Sequence, residues 1–364
     1  MTARPDLYVG LMSGTSLDGI DVAIARFPDA SVLATRYEPY PEPLRTAARA
    51  LLEPGANELD RAARLANDLT RAYAAAIARA LAAAGLETSA VSAIGCHGQT
   101  VRHQPRAGYT IQLINGALLA ELTAIPVVCD FRSRDIAAGG EGAPLVPAFH
   151  DALFRRAGVH RVIVNLGGIG NVTDLAPARP LRGFDTGPAN CLLDDWAMHR
   201  IGTPFDRDGA LAAGGKVDAA LLAALLAEPY FAAAPPKSTG RELFNLAWLE
   251  RHRIQDIAPA DVQATLAELT AQSVARAIRE HCAGAAEAYF CGGGSHNSDL
   301  MRRLRTALAG VRIETTTALG IAPDFVEAVA FAWLAHAALE GETSSRASVT
   351  GARGDRVLGA VYPR

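Results

Sequence analysis

The sequence of 364 residues has few cysteines, no long run of one charge and no long apolar run. Its five cysteines are odd in number, scattered and without a CxxC pair, which favours reduced thiols over a disulfide framework or a zinc site. Because the net charge is −3 and no stretch is rich in Lys or Arg, we expect neither nucleic acid nor an anionic membrane as a partner. The chain also lacks about 18 consecutive apolar residues and the apolar core of a signal peptide. We therefore expect a cytoplasmic protein with no membrane span.

The phosphate-binding motif GxxxxGK[ST] is also missing. Segment 209–216 reads GALAAGGK, but the spacing between its glycines and its lysine does not fit the motif. A P-loop nucleotide-binding domain is thereby excluded. Nucleotide binding through the backbone amides of other glycine loops stays open.

Short apolar segments alternate with amphipathic helices, which predicts the α/β class. We predict a lobe of residues 1–134 and a second lobe of residues 135–341, divided near the Gly-rich segment 137–142. Segment 342–364 is a candidate addition to the first lobe. Strands are predicted at 7–12, 20–27, 93–96, 109–113, 126–130, 161–166, 172–175 and 288–291, and helices at 58–84, 115–123, 260–281, 298–309 and 323–339.

A strand, a glycine loop and a second strand occur twice, first within residues 7–27 and again within residues 161–175. This repeat predicts a two-lobed fold with one phosphate-binding loop on each lobe. The glycine loops are 13–19, 167–171 and 292–297. Glycines let backbone N–H groups converge on an anion, but a tight hairpin without a ligand explains the same residues.

Several polar side chains are candidates for chemistry. Asp18 and Asp21 are available to hold Mg²⁺ through water. Residues 183–190 are predicted to form a turn of small residues. Its Asp185 is a candidate general base, although an Asx-turn or a helix N-cap explains a single Asp as well. Arg132 can bind a carboxylate with two hydrogen bonds or form part of an ion-paired turn. His97 could line a binding cleft, and Glu327 lies in an apolar helix where a carboxylate needs a partner.

Taken together, the motifs resemble those of the anhydro-N-acetylmuramic acid kinases, in order and over nearly the whole chain. The matching segments are LMSGTSLDGID (11–21), CHGQT (96–100), IQLINGALLAE (111–121), DFRSRD with AAGGEGAPLVP (130–147), NLGGIGNVT (165–173), GFDTGPAN (183–190), KSTGRELFN (237–245), GGGSHN (292–297) and PDFVEAVAFAWLA (323–335).

The resemblance implies the actin/hexokinase-like fold, with a cleft between two lobes that are each built on a ribonuclease-H-like sheet. It implies that ATP and water convert 1,6-anhydro-N-acetylmuramic acid into N-acetylmuramic acid 6-phosphate, in the recycling of cell-wall sugars, and that the enzyme is a homodimer using Mg²⁺. Asp185 would be the base and Asp18 would serve Mg²⁺. The phosphates and nucleoside would meet Gly14, Thr15, Ser16, Gly167, Gly168, Gly292, Gly293 and Gly294, and the sugar would meet His97, Arg132 and Glu327.

Three other functions stay open. An N-acetylhexosamine or hexose kinase would use the same kind of Asp to deprotonate a sugar hydroxyl. A sugar-responsive repressor would need a DNA-binding domain, for which the residues before the first predicted strand leave no room. An actin- or chaperone-like ATPase would have no sugar pocket, so that His97, Arg132 and Glu327 would be structural.

Overall fold

A computed structural model describes residues 6–14 and 17–364. These residues group into two compact units. The first comprises the described residues up to Leu153 together with Phe325–Arg364, and the second is Phe154–Asp324. The lobe boundaries at 134/135 and 341/342 stay a prediction.

The secondary structure alternates strands and helices, which confirms the predicted α/β class. The strands are β1 (Leu7–Met12), β2 (Gly19–Arg26), β3 (Ser31–Pro39), β4 (Val91–Cys96), β5 (Gln99–Gln104), β6 (Tyr109–Leu113), β7 (Val127–Cys129), β8 (Arg161–Leu166), β9 (Ile169–Leu175), β10 (Arg182–Pro188), β11 (Glu287–Cys291), β12 (Arg312–Thr315) and β13 (Ala360–Tyr362). The helices are α1 (Glu42–Arg49), α2 (Glu58–Ala84), α3 (Gly116–Thr123), α4 (Ser133–Ala137), α5 (Val146–Phe154), α6 (Asn190–Ile201), α7 (Ala210–Gly214), α8 (Ala219–Leu226), α9 (Pro229–Ala232), α10 (Leu246–Glu250), α11 (Pro259–His281), α12 (Ser298–Ala307), α13 (Val326–Glu340) and α14 (Ala347–Thr350).

The first unit is built on a six-stranded mixed sheet in the order β13-β7-β4-β1-β2-β3. The hairpin β1–β2 and the pair β2–β3 are antiparallel, whereas β4 runs parallel to both β1 and β7. Helix α2 covers one face and buries Leu69, Tyr73 and Ile77 in a core shared with Val9 and Ile94 of the sheet. Glycine 85 in a left-handed conformation ends α2, as the sequence predicts.

Helix α13 packs directly on strands β1 and β4. A Cβ atom on Gly10 would lie 1.8 Å from the carbonyl oxygen of Ala328, and one on Gly95 would lie 2.0 Å from that of Phe331. Glycine is therefore required at both positions for the helix backbone to approach the strands. The apolar helix that the sequence predicts at 323–339 is thus a core element of the first unit, and its α-helical part begins at Val326.

The second unit repeats this sheet. Its five strands have the order β10-β9-β8-β11-β12, with antiparallel pairs β8–β9 and β9–β10 and parallel pairs β8–β11 and β11–β12. Read from each hairpin, both sheets therefore have the order 3-2-1-4-5 and the same strand directions. The predicted repeat of strand, glycine loop and strand is confirmed as the hairpins β1–β2 and β8–β9.

Helix α11 links two hydrophobic clusters of the second unit. Its C-terminal half, with Val274 and Ile278, packs with α12 on the sheet. Its N-terminal half, with Val262 and Leu266, packs on α6, α8 and α10 around Trp248. The segment between β10 and α11 is therefore a helical layer with a core of its own.

Among the residues that the structure describes, no single helix is both long and apolar enough to cross a bilayer. The helix pair Arg207–Gly214 and Ala219–Leu226, bent by 118°, would be by length and composition alone.

Candidate active site

Asp185 lies on a strand, not in the turn that the sequence predicts for residues 183–190. It pairs in register with Asn171 of β9, and the register shifts between Asp185 and Gly187. Such a bulge changes the direction of the side chains beside it and is common next to active sites. The helix that follows, α6, has Ala189 at its N-cap position, so Asp185 is not a helix cap.

A loop, residues 237–241, holds Asp185 from the side. The Asp185 backbone N–H donates to the Lys237 carbonyl oxygen at 3.1 Å, and the Thr239 N–H donates to Asp185 Oδ2 at 3.0 Å. The Tyr230 hydroxyl donates to the Asp185 carbonyl oxygen at 2.9 Å. Because both its backbone and its carboxylate are held, Asp185 has a defined orientation.

The acidity of Asp185 suits a base that works near neutral pH. Burial raises its pKa to about 6, while the Thr239 N–H and the Lys237 charge lower the pKa and the Glu242 charge raises it. A carboxylate with this pKa is ionised at pH 7 yet more basic than an exposed Asp. The arrangement can therefore accept a proton from a hydroxyl group or from water.

The two glycine loops of the second unit meet around Asn190, at the start of α6. The N–H of Asn190 donates to the Gly167 carbonyl oxygen, and the N–H groups of Ala189 and Cys191 donate to that of Gly168, all at 3.0 Å. The Gly167 C=O and the Gly168 N–H belong to one trans peptide and point in opposite directions. Because the Gly167 C=O faces the start of α6, the Gly168 N–H is directed away from that helix. It is thus available to an anion.

Packing requires glycine at some positions of these two loops and not at others. At Gly292, with φ 78°, a Cβ would lie 2.3 Å from Asn165 Oδ1, and at Gly294 it would lie 2.7 Å from the Leu166 Cβ. These two are needed for packing. At Gly167, Gly168 and Gly293 the nearest atoms would be 3.6, 3.9 and 3.8 Å away, and none of the three has a positive φ. Packing does not require glycine there, and the open backbone leaves room for a ligand to approach it closely.

In the first unit, the buried His97 and the half-buried Arg132 form a hydrogen-bonded pair. The Arg132 Nε and Nη2 donate to His97 Nε2 at 3.2 and 3.0 Å, and its Nη1 donates to the Gly142 carbonyl oxygen at 2.8 Å. Since a guanidinium group can only donate, His97 Nε2 must be an acceptor and the ring is neutral. Burial and the Arg132 charge agree with this, because they lower the pKa of His97 to about 3.

Glu327 is the acidic counterpart of this pair. Burial lowers the pKa of Arg132 to about 10 and the Glu327 charge raises it. Burial also raises the pKa of Glu327, and the Arg132 charge lowers it. The three predicted sugar-binding residues therefore lie together, with opposite charges in a low-dielectric setting.

The first glycine loop is supported by buried hydroxyl groups. Ser13 Oγ is 3.0 Å from the Tyr73 hydroxyl oxygen, and Gln99 Nε2 donates to the Gly14 carbonyl oxygen at 3.1 Å. Thr15 and Ser16 lie outside the described residues, so their predicted roles stay predictions. Asp18 is exposed beside the loop, and its Oδ1 accepts a hydrogen bond from the Gly19 N–H at 3.0 Å.

The carboxylates fit Mg²⁺ held through water better than a metal held directly by protein. The described part of the chain contains no cluster of three or more His, Cys, Asp or Glu side chains that could bind a metal. Mg²⁺ usually keeps several waters and takes only one or two carboxylates besides phosphate oxygens. Asp18, exposed beside the glycine loop that is predicted to bind phosphate, fits that requirement.

A family profile described as anhydro-N-acetylmuramic acid kinase matches residues 6–364. The chain belongs to this family. Anhydro-N-acetylmuramic acid kinase from Thiobacillus denitrificans is 53% identical over 368 residues, covering 100% of this chain and 98% of that protein. The kinase of the same name from Nitrosospira multiformis is 54% identical over 360 residues, covering 98% of each chain.

Two solved structures show a more distant likeness to this chain. Component A of the (R)-2-hydroxyglutaryl-CoA dehydratase of Acidaminococcus fermentans has a TM-score of 0.49 at 13% identity, covering 90% of this chain and 96% of that chain. The ROK hexokinase of Thermus thermophilus has a TM-score of 0.38 at 16% identity, with the same coverage. With such low TM-scores the likeness carries no argument. The fold is assigned from the strand order within each unit.

Within this kinase family member, the structure assembles each group of predicted residues inside one unit. His97, Arg132 and Glu327 come together in the first, and the loops containing Gly167 and Gly292 in the second. Sequence reasoning missed Tyr230, Lys237 and Thr239 as the groups that hold Asp185. The motif KSTGRELFN was recognised, but nothing in its residue types indicates which strand it packs against.

Proposed function

We propose that the protein is an ATP-dependent kinase that opens 1,6-anhydro-N-acetylmuramic acid with water and phosphorylates it, giving N-acetylmuramic acid 6-phosphate for cell-wall recycling. Membership of the anhydro-N-acetylmuramic acid kinase family supports this substrate and reaction. The proposal includes a cytoplasmic homodimer.

One observation carries the chemistry: Asp185 is partly buried, firmly held and has a pKa of about 6. A base of this kind can take a proton from water as the water oxygen bonds to the anomeric carbon. A glycosidase that uses water would also need an acid for the leaving oxygen. Here that oxygen receives a phosphoryl group, so a single carboxylate suffices.

The atoms balance in the following way. A water O–H bond breaks, its proton goes to Asp185, and the oxygen bonds to C1. The bond between C1 and the bridging O6 breaks, and its electron pair stays on O6. O6 then bonds to the γ-phosphorus of ATP as the bond to the ADP oxygen breaks. The proton on Asp185 is later released to solvent.

Arg132 is our candidate for binding the lactyl carboxylate of the sugar. Three of its five N–H donors are used by His97 and Gly142, which leaves one donor on each terminal nitrogen. Two donors in a planar fork match a carboxylate. The neutral His97 holds the guanidinium without competing for the carboxylate charge, and Glu327 can accept hydrogen bonds from sugar hydroxyls.

Backbone amides of the glycine loops would bind the nucleotide. Gly167 and Gly168, where a Cβ would meet no atom closer than 3.6 Å, would bind phosphate, and Gly292, Gly293 and Gly294 would face the nucleoside. Gly14, Thr15 and Ser16 would bind phosphate as well. Mg²⁺, when bound with ATP, neutralises phosphate charge, and Asp18 would hold it through water.

The test is an assay of the purified protein with Mg·ATP and 1,6-anhydro-N-acetylmuramic acid, reading ADP release and product mass. We expect a product that has gained both water and a phosphoryl group. Asp185→Asn keeps the shape of the side chain but removes the base, and should abolish turnover. N-acetylglucosamine, run in parallel, tests the alternative of an N-acetylhexosamine kinase. Phosphorylation of that sugar with an inert anhydro sugar would overturn the proposal.

A further inference from the structure

Asp135 is a buried carboxylate beside the loop that joins α4 to α5, and it is 0% exposed. Its Oδ2 accepts a hydrogen bond from the Gly142 N–H, and its Oδ1 accepts one from the Thr350 hydroxyl, both at 2.8 Å. Because Thr350 lies in α14, the carboxylate connects segments that are 215 residues apart in the sequence. Burying a carboxylate is costly unless it is hydrogen-bonded, so these contacts define where Asp135 and Gly142 lie.

Gly142, which Asp135 holds through its N–H, binds Arg132 through its C=O. The Gly142 carbonyl oxygen accepts a hydrogen bond from Arg132 Nη1 at 2.8 Å. Gly142 has a φ of 66°, and a Cβ on it would lie 2.8 Å from Ile136 Cγ1 of α4. The residue is therefore packed against α4, and its carbonyl oxygen is an acceptor with a fixed position.

The loop is also held from the C-terminal segment of the chain. The Glu141 N–H donates to the Thr350 carbonyl oxygen at 2.8 Å. The carboxylate of Asp135 fills the place of a side chain at Gly140, because a Cβ there would lie 2.2 Å from Oδ2. All these contacts lie within the first unit. Asp135 is thus at the centre of a closely packed set of backbone hydrogen bonds.

The bond to Gly142 decides how the guanidinium group of Arg132 is oriented. Both bonds to His97 end on the same ring nitrogen, Nε2, so the planar group could pivot about that atom. The third bond, from Nη1 to Gly142, prevents this rotation. The two N–H donors that these three bonds leave over then point in fixed directions.

We propose that Asp135 is a positioning residue for recognition of the sugar. Through Gly142 it fixes Arg132 in the orientation in which the two remaining N–H donors match the lactyl carboxylate. This inference rests on the proposed function, in which Arg132 binds that carboxylate. Asp135 itself touches no ligand, since it has no exposed surface. The affinity for the sugar should therefore depend on a residue that lies beneath the binding surface.

Asp135→Ala and Asp135→Asn test the proposal in steady-state kinetics with Mg·ATP and 1,6-anhydro-N-acetylmuramic acid. Alanine removes the acceptor of the Gly142 N–H. We expect the KM for the sugar to rise roughly three- to tenfold, the effect of one lost hydrogen bond, while kcat and the KM for ATP stay unchanged. Asparagine should restore the wild-type KM, because its Oδ1 can accept from Gly142 and its Nδ2 can donate to the Thr350 hydroxyl.

Thr350→Val is the second variant if Asp135→Ala does not fold. Valine keeps the volume of the side chain and removes the hydroxyl that donates to Asp135 Oδ1. It should raise the KM for the sugar in the same direction, again without a change in kcat.

A double-mutant cycle tests whether Asp135 acts through Arg132. Arg132→Met alone should raise the KM for the sugar roughly tenfold or more, since hydrogen bonds from a charged group are lost. In that background, Asp135→Ala should raise the KM no further, because the residue it positions is absent. An equal rise with and without Arg132 would show that Asp135 acts by another route.

The control is Asp206→Ala, at a buried carboxylate of the second unit. Asp206 accepts from the N–H groups of Leu211 and Ala212 at 2.8 and 3.0 Å. This variant should melt at a lower temperature and keep the wild-type KM for the sugar. A merely structural Asp135 would behave in the same way.

The outcomes separate the two proposals. A wild-type KM for the sugar in Asp135→Ala, or equal rises in the alanine and asparagine variants, would overturn the role of Asp135 while leaving the kinase assignment intact. A wild-type protein that does not convert 1,6-anhydro-N-acetylmuramic acid would instead overturn the proposed function, and the inference about Asp135 with it.

Discussion

Four influences set the basicity of Asp185. Burial raises its pKa, and the Thr239 N–H and the Lys237 charge act in the opposite direction. The Glu242 charge adds to the effect of burial. The net pKa of about 6 is therefore a balance that single charge changes can move.

We predict that kcat/KM falls below pH 6, since the base must be ionised in the free enzyme. Well below this pKa the loss should be about tenfold per pH unit. Lys237→Met removes a cation that lowers the pKa, so the midpoint of the fall should move to higher pH. Profiles of kcat/KM measured between pH 5 and 8 check this. Lys216→Met is the control, at the other lysine of the sequence, which is exposed. A midpoint that does not move in Lys237→Met would contradict the argument.

Residue types predicted part of the site. Asp185, Arg132, His97 and Glu327 were candidates because carboxylates, guanidinium groups and imidazoles near glycine loops are typical of binding sites. Thr239 was not predicted, since a threonine in a polar loop carries no signal of its own. Only the pairing of its N–H with Asp185 distinguishes it.

At the scale of elements, the close contact of α13 with the first sheet constrains two glycines most strongly. The helix backbone lies where a side chain on Gly10 or Gly95 would be. Interiors packed to this density do not accommodate an extra methyl group without movement of the backbone.

We predict that Gly95→Ala lowers the free energy of unfolding by at least about 2 kcal/mol, because the new Cβ would lie 2.0 Å from the Phe331 carbonyl oxygen. Urea denaturation followed by circular dichroism measures the change. Gly55→Ala is the matched control in the same unit, since its Cβ would meet only the end of the Arg61 side chain, at 3.0 Å. The control should change the free energy by less than about 1 kcal/mol. Equal effects of the two variants would disprove the packing argument.

Elements with a strong periodic pattern of apolar residues were predicted well. Elements that form only because a neighbouring strand pairs with them were not. Helix α2 was predicted with its observed bounds, because apolar residues recur at helical spacing up to a terminating glycine. Strand β10 was missed because its sequence, RGFDTGP, contains two glycines and a proline. It is a strand because β9 pairs with it, which is tertiary information. The short helices between residues 210 and 250 are positioned by packing in the hydrophobic cluster around Trp248.

At the scale of the whole molecule, all five cysteines are free and buried, and they occur in both units. Burial raises the pKa of Cys129, Cys191 and Cys282 to about 12. Since the thiolate is the reactive form, inaccessible thiols with such pKa values are inert.

We predict that the native protein incorporates almost no iodoacetamide at pH 8, and that all five thiols react in urea. Mass spectrometry of peptides gives the urea concentration at which each cysteine becomes reactive. Arg64→Cys, at an exposed position of α2, should react at once and serves as the positive control. Rapid labelling of any native cysteine would contradict the packing described for its strand or helix.

The connection between the units has a consequence for synthesis of the chain on the ribosome. The second unit is one continuous segment, Phe154–Asp324, whereas α13 and β13 of the first unit follow it in the sequence. Nascent domains fold as units while the chain emerges. The second unit can therefore complete its fold first. Until α13 has been synthesised, the face of β1 and β4 that contains Gly10 and Gly95 stays uncovered. A nascent chain halted before Val326 would expose that face, and it is the species we expect chaperones to bind.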